Sequence, residues 1–397
     1  MKEYTLKKIS FFYGFIILVY TFSDGLFGFG FTALMFYKGL NIGTIGLLLG
    51  ISDLLVTIFE YPTGMLADKY GRKKICGLGF IVYGLGFFAF GLSNTFFLFL
   101  ISNIIRALGM SLIDGAPSAW YLTELNNKNA YKYKDKMLPF LRGISLLIGS
   151  ASGIIAGNLS KINMSLPVFI GGFILMVSGI FILFNLEDNK GHQDDNENMI
   201  KTVLKNMKQL LDEKSMRIFI LFEASKVVMF TIFILSWQIY AVDIIGMESI
   251  HLGYLYTVML ISMSLASFLT SYLLKLINGI KITVCGITLT IIGVILFLLT
   301  ESQSGFVLGF VIFEFGLGLL NSSYQTWLYD YIPNTSFSSY TSALSATSSL
   351  IAFVLSIFLG QLILVVGFNF GWITGILFQI VSILLIIRIK KEKRRNV

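Results

Sequence analysis

The chain has 397 residues, of which 55% are hydrophobic and 13% charged, with a mean hydropathy of +0.79. That much apolar side chain exceeds what a water-soluble core can bury, so a soluble enzyme or binding domain is excluded. The net charge of +8 comes mainly from Lys and Arg in short segments between apolar blocks and at the two ends, a pattern of membrane topology and not of a nucleic-acid surface.

Apolar blocks near the twenty residues that a helix needs to cross about 30 Å of hydrocarbon recur along the chain. They predict twelve helical spans near residues 10–36, 43–66, 74–92, 96–122, 138–159, 166–186, 216–242, 250–274, 281–299, 304–329, 339–366 and 369–388. The first runs on after Lys7 and Lys8 without a small-residue cleavage site, so it reads as a span and not a leader. Cys76 and Cys285 each open an apolar block and read as small packing residues.

Twelve spans put both termini on one face. Lys2, Lys7, Lys8, Lys69, Arg72, Lys73, Lys74, Lys128, Lys132, Lys134, Lys136, Lys275, Lys281, Lys390, Lys391, Lys393, Arg394 and Arg395 fall on that face, against little beyond Lys38 and Lys161 on the other. The positive-inside rule makes the basic face, with both termini, cytoplasmic, and the cell membrane the expected location. The long polar connection 187–215 opens with Glu187, Asp188, Asp194, Asp195 and Glu197. Ile200, Val203, Leu204, Met207, Leu210 and Leu211 then form one helical stripe, the pattern of an amphipathic cytoplasmic helix or, more plainly, of a solvated linker.

The stretches on either side of this linker are weakly similar at an offset of 207 residues: Gly46-Leu47 falls on Gly253-Tyr254, Leu66 on Leu273, Gly109 on Gly316, Leu112 on Leu319 and Trp120 on Trp327. A further shift of two matches Cys76-Gly77 to Cys285-Gly286. The expected organisation is therefore a six-span bundle over 1–186, a cytoplasmic linker over 187–215 and a second six-span bundle over 216–397 with a basic tail.

The sharpest local pattern is Gly64-Met65-Leu66-Ala67-Asp68-Lys69-Tyr70-Gly71-Arg72-Lys73-Lys74, between spans 2 and 3. It resembles the loop signature of the major facilitator superfamily at every defining position. Gly64 allows close helix approach and Gly71 a turn that a Cβ would hinder. The resemblance implies the major facilitator fold, two six-helix bundles related by a pseudo-twofold axis, with binding where the halves meet. It also implies a conformational latch in which Asp68 faces the positive end of span 11 near Ser338 and Ser339, and Arg72 bridges to an acidic group ending span 4, for which Glu124 is the nearest candidate. A basic loop that merely fixes topology is the plainer alternative. The corresponding second-half loop, Ser271 to Lys281, has no Asp, so any latch is asymmetric.

Arg106-Ala107-Leu108-Gly109-Met110 in span 4 resembles the superfamily's membrane Arg motif in part, and Arg106 alone is carried over, as a proton-coupling residue. Gly149, Gly153 and Gly157 in span 5 follow the glycines of the drug exporters' antiporter motif, whose proline and last glycine are replaced here by Ile154 and Asn158. Small residues at every fourth position serve plain helix packing equally well.

Charges at bilayer depth need partners or a wet cavity, because an ionised side chain there costs at least about 2.5–3.5 kcal/mol. Asp24 in span 1, Arg106 in span 4, Lys226 in span 7 and Glu314 in span 10 lie about midway through their spans, and they are expected to act in proton coupling as the pairs Asp24–Arg106 and Lys226–Glu314. Asp53, Glu60, Asp114 and Glu223 form a second tier, and structural pairing competes as a reading for every one of these residues. Phe22, Phe27, Tyr121, Trp237, Gln238, Asn321, Tyr324 and Gln325 are candidate substrate contacts.

The only histidines, His192 and His251, are far apart, and the chain has neither a His–carboxylate metal cluster nor a phosphate loop. No catalytic site, metal or cofactor is expected. The reading is a monomeric secondary transporter, a proton-coupled exporter of amphipathic or hydrophobic small molecules whose partners are substrate, protons and the bilayer. A proton-symporting importer of a polar solute such as a sugar or nucleoside is the alternative, and a membrane-embedded enzyme a more distant one.

Overall fold

The computed structural model describes residues 2–185, 188–190, 214–328 and 337–395. The amphipathic stripe expected between Ile200 and Leu211 lies outside them. Among the described residues the regular structure is helical, and twelve helices are long and apolar enough to cross a membrane. They are Leu6–Tyr37, Ile42–Tyr70, Arg72–Leu92, Phe96–Asn127, Gly143–Ser160, Leu166–Asn185, Arg217–Ile244, Ser249–Leu273, Gly279–Leu299, Gln303–Tyr324, Thr347–Val366 and Phe368–Ile389, called spans 1 to 12 here. Helix is what hydrocarbon permits, since each backbone polar group finds its partner inside its own segment. The count matches the sequence expectation, and most boundaries agree within a few residues.

Two spans expected as continuous are broken. Span 1 is helical over Lys2–Gly28 and again over Phe31–Tyr37. Span 4 runs Phe96–Ile113, turns at Asp114 and Gly115, and resumes over Ala116–Asn127. The second break follows from Gly115 at φ +74° and from Pro117, which fits a first helical turn but not an interior. Spans 2 and 3 are separated by Gly71 alone, at φ +113°.

Contacts divide the chain into two compact units. Unit 1 comprises Met1–Leu40, Ile51–Asp195 and Glu248–Leu260; unit 2 comprises Asn41–Gly50, Asn196–Met247 and Ile261–Val397. Each thus takes most of one sequence half and a stretch of one span from the other. In unit 1, span 3 packs on spans 4 and 6, and span 1 on spans 5 and 6. In unit 2, span 9 packs on spans 10 and 12, and span 7 on spans 11 and 12. The second set is the first moved six spans along, the pattern that a sequence repeat would produce.

The matched glycines occupy matched contacts. A Cβ on Gly109 would strike the backbone of Tyr83 in span 3, and one on Gly316 the Gly286 carbonyl in span 9. Gly253 in span 8 lies against the Gly153 carbonyl in span 5, and Gly46 in span 2 against the Ser356 carbonyl and Gly360 in span 11. Gly360 stands 207 residues after Gly153, so these two backbone contacts are themselves repeat equivalents. Trp120 and Trp327 are both buried.

Candidate functional site

In unit 1 the candidate charges lie on spans 1, 2 and 4, and span 3 contributes a neutral partner. The close approach of span 4 to span 3 at Gly109 and Gly86 leaves Tyr83 directed at span 1, where its hydroxyl donates to Asp24 Oδ1 at 2.6 Å. Tyr83 also stacks on Tyr20 at 5.9 Å. Arg106 donates to Ser52 Oγ at 3.0 Å and Asn103 Oδ1 at 3.3 Å, and its guanidinium lies 4.7 Å from the centre of the Phe27 ring. Asp24 and Arg106 therefore do not form the expected ion pair. The tyrosine hydroxyl satisfies the carboxylate, while the aromatic face and two neutral acceptors hold the guanidinium. Asp53, Glu60 and Asp114 have exposed side chains in the same unit.

In unit 2 the second expected pair is also replaced. Lys226 meets Glu223 one turn earlier on its own helix, at 2.9 Å, and its ammonium lies 4.3 Å from the centre of the Tyr324 ring. Glu223 wins because an i,i+3 partner is within reach without any strain. Glu314 is fully buried, and neither carboxylate oxygen has a hydrogen-bond partner among the described residues. Its neighbour Phe313 stacks on Phe233 at 4.2 Å, so this part of span 10 is set in an aromatic layer.

The candidate substrate contacts fall into two groups. Phe27, Tyr121, Trp237, Gln238 and Tyr324 are buried: Phe27 packs on Phe87 and Phe90, Tyr121 bonds to Ser10 and stacks on Tyr13, and Trp237 packs on Phe233 and Phe310. Phe22 and Asn321 are partly exposed. The side chain of Gln325, like those of Ser338 and Ser339, lies outside what is described.

At the loop signature, Arg72 donates from Nε and Nη2 to Asp68 Oδ1, at 3.1 and 2.9 Å, and from Nη1 to the Ala119 carbonyl at 3.0 Å and Thr123 Oγ1 at 2.5 Å. It thus reaches the end of span 4 as expected, but through a carbonyl and a hydroxyl, and not through Glu124. Glu124 Oε1 instead accepts from Asn189 Nδ2 at 2.8 Å. Gly64 faces open space.

Sequence reasoning passed over Tyr83, Ser52, Asn103 and Asn189, the neutral groups that serve the charges. A tyrosine among the glycines of span 3 was the available signal for the first. For Asn189 there was none. No group of three or more metal-ligating side chains occurs among the described residues.

Twelve helical spans, with charged side chains within them and helices apposed through glycines, make this a polytopic membrane protein. A family model described as Major Facilitator Superfamily matches residues 13–354 and again 226–397, and the chain belongs to that superfamily of secondary transporters, not to an enzyme family. It is 26% identical over 230 residues to the uncharacterized MFS-type transporter YxaM of Bacillus subtilis (strain 168), covering 55% of this chain and 54% of that one. It is 24% identical over 162 residues to Multidrug resistance protein 2 of the same organism, covering 40% and 38%. The matched stretches thus span about half or less of these relatives' own lengths. Among solved structures, the nucleoside transporter NupG superimposes with a TM-score of 0.79 at 15% identity, over 96% of this chain and 98% of that one. A bacterial homologue of the iron transporter ferroportin, in its inward-facing state, gives 0.71 at 15%, over 96% and 98%. Both likenesses establish the major facilitator fold alone.

Proposed function

We propose that this protein is a proton-coupled exporter of amphipathic or hydrophobic small molecules that works by alternating access. The observation that carries the coupling is Glu314, a wholly buried carboxyl in span 10 with no hydrogen-bond partner for either oxygen among the described residues. A carboxyl so placed is one whose protonation can follow its surroundings, because enclosing, wetting or pairing it changes which form is favoured. A rearrangement that wets or pairs Glu314 would release the proton, and the reverse would take one up. Asp24, bonded to Tyr83, is the counterpart in the first half. Asp24, Arg106, Lys226 and Glu314 are thus proposed as the coupling set, although not as the two ion pairs that spacing implied.

Export is supported by the glycine face of span 5, in the pattern of the superfamily's exporters, and by the similarity to Multidrug resistance protein 2. The aromatic layers of Phe233, Trp237, Phe310 and Phe313 suit apolar ligands once opened. The six-span halves 1–186 and 216–397 are proposed as the moving bodies, and the termini and the 187–215 linker as cytoplasmic.

Proteoliposomes with an imposed pH gradient test the reading, with ethidium as export probe and uridine as import probe. The wild type is expected to move ethidium against its gradient. Glu314→Gln should abolish that uphill movement while retaining downhill exchange. Uphill ethidium transport by Glu314→Gln would remove this residue from coupling, and proton-driven uridine uptake without ethidium transport would replace export by import.

A further inference from the structure

The chain leaving span 6 is fastened to the loop between spans 2 and 3 in a way that the loop signature does not explain. The first N–H groups of any helix lack partners within that helix. At span 3 two of them are met by residues more than a hundred positions away. Arg72 N–H donates to the Asn189 carbonyl at 3.0 Å, and Lys73 N–H donates to Asp188 Oδ1 at 3.0 Å. Asp188 is therefore an N-cap supplied from another part of the chain, with its negative charge at the positive end of the helix. A Cβ on Gly71 would strike the Asp188 carboxylate. That glycine therefore serves two ends, the turn at positive φ and the space in which Asp188 sits.

Asn189 continues the connection to span 4. Its Nδ2 donates to the Trp120 carbonyl at 3.1 Å and to Glu124 Oε1 at 2.8 Å. The same stretch of span 4 receives Arg72 at Ala119 and Thr123. Four pieces of chain thus meet at one corner: the end of span 2, the first turn of span 3, the end of span 4 and residues 188–189.

We infer that Asp188 and Asn189 are positioning residues for transport, forming a clip that caps span 3 and ties it to the end of span 4, and so fixes the loop that carries Asp68 and Arg72. The clip's effect on transport rests on the reading of that loop as a conformational latch; its geometry does not.

The test uses the full chain, purified and reconstituted, with Cys285→Ser so that Cys76 is the sole thiol. Cys76 lies one turn into span 3 and is buried, so its alkylation by N-ethylmaleimide, followed by intact mass, reports opening of that turn. Asn189→Asp sets a second carboxylate against Glu124; adding Glu124→Gln restores the bond between positions 189 and 124 with its direction reversed, though not the donor to the Trp120 carbonyl. Asp188→Ala removes the cap, whereas Asp188→Asn keeps an oxygen for Lys73 N–H. Asp188→Ala is expected to speed Cys76 alkylation about fivefold, the population shift that loss of a cap produces, and Asn189→Asp to speed it as well. Both should lower the maximal rate of ethidium transport about threefold or more with KM within about twofold. The Asn189→Asp/Glu124→Gln pair and Asp188→Asn should return both quantities towards wild type. Unchanged Cys76 alkylation in Asn189→Asp and Asp188→Ala, or no recovery in Asp188→Asn, overturns the clip. Faster alkylation without any change in transport rate retains the cap but overturns its role in transport. If the wild type moves no ethidium, the export reading fails, and the alkylation arm still decides whether the clip exists.

Discussion

Asp24 Oδ1 receives a 2.6 Å hydrogen bond from Tyr83, whose ring stacks on Tyr20. A hydroxyl donating to a carboxyl oxygen contributes about 0.5–1.5 kcal/mol when the acceptor is neutral and about 1.5–3 kcal/mol when it is ionised. Tyr83→Phe should therefore lower the stability of the purified protein by an amount within these ranges, read as a fall in its melting temperature. The same change in an Asp24→Asn background should cost clearly less when the carboxyl is ionised, because the neutral amide accepts a weaker bond. Equal costs in the two backgrounds would show that no ionised carboxylate accepts this bond in the membrane protein. Asp68 makes a second case, since it holds Arg72 through two donors. Asp68→Asn is expected to lower the maximal transport rate about tenfold while leaving KM nearly unchanged, the pattern of a lost state-dependent contact. A normal rate at saturating substrate would remove Asp68 from the latch. At this scale the charges could be picked out by their cost in an apolar span, but not their partners. Tyr83, Ser52 and Asn103 are neutral, and nothing in a linear pattern distinguishes a buried hydroxyl that serves a charge from one that bonds its own helix, as Ser102 and Ser111 do.

Helices meet through glycines in both units, and the paired contacts of Gly46 with Gly360 and of Gly153 with Gly253 bring backbone against backbone. No side chain fits there without displacing a helix. Gly253→Leu should overfill the contact between spans 5 and 8, at a cost of about 1–3 kcal/mol for the packed arrangement, and bias the protein towards whatever state separates these helices. The measurement is reactivity of a cysteine at Ser160, which bonds to Ser249 across the same pair of spans and is buried. Faster alkylation of that cysteine in the Gly253→Leu background is expected; an unchanged rate would mean that the neighbours absorb leucine without separating. The position of every span could be read from hydropathy because the bilayer fixes a minimum apolar length. The breaks in spans 1 and 4 could not, since Asp114 and Gly115 interrupt the helix without interrupting the apolar run enough to end a window. Gly115 with Pro117 two residues on was the visible sign, and it outweighs hydropathy wherever a backbone dihedral must be left-handed.

For the whole chain, the offset of 207 residues that aligned a handful of glycines and tryptophans now extends to the packing order of the spans and to the Gly153 and Gly360 contacts. Composition could not separate such matches from chance, but shared three-dimensional roles do. Orientation across the membrane rests on a different argument, the distribution of Lys and Arg, because helices pack the same way whichever face they present to the cytoplasm. Lys69, Arg72, Lys73 and Lys74 at the turn between spans 2 and 3, with Lys390 to Arg395 after span 12, are expected from the alternation of twelve spans to fall on one face together with the 187–215 connection. Each Lys or Arg near an anionic leaflet gains about 1 kcal/mol, so an inverted topology would forfeit many such terms at once. In a background with Cys76→Ser and Cys285→Ser, a cysteine at Asn196 should stay unlabelled by an impermeant maleimide in intact cells and react only after permeabilisation. A cysteine at Ser302, in the short exposed connection between spans 9 and 10, should react in intact cells. Labelling at Asn196 with protection at Ser302 would invert the topology, and with it the sense of transport assigned to any proton gradient.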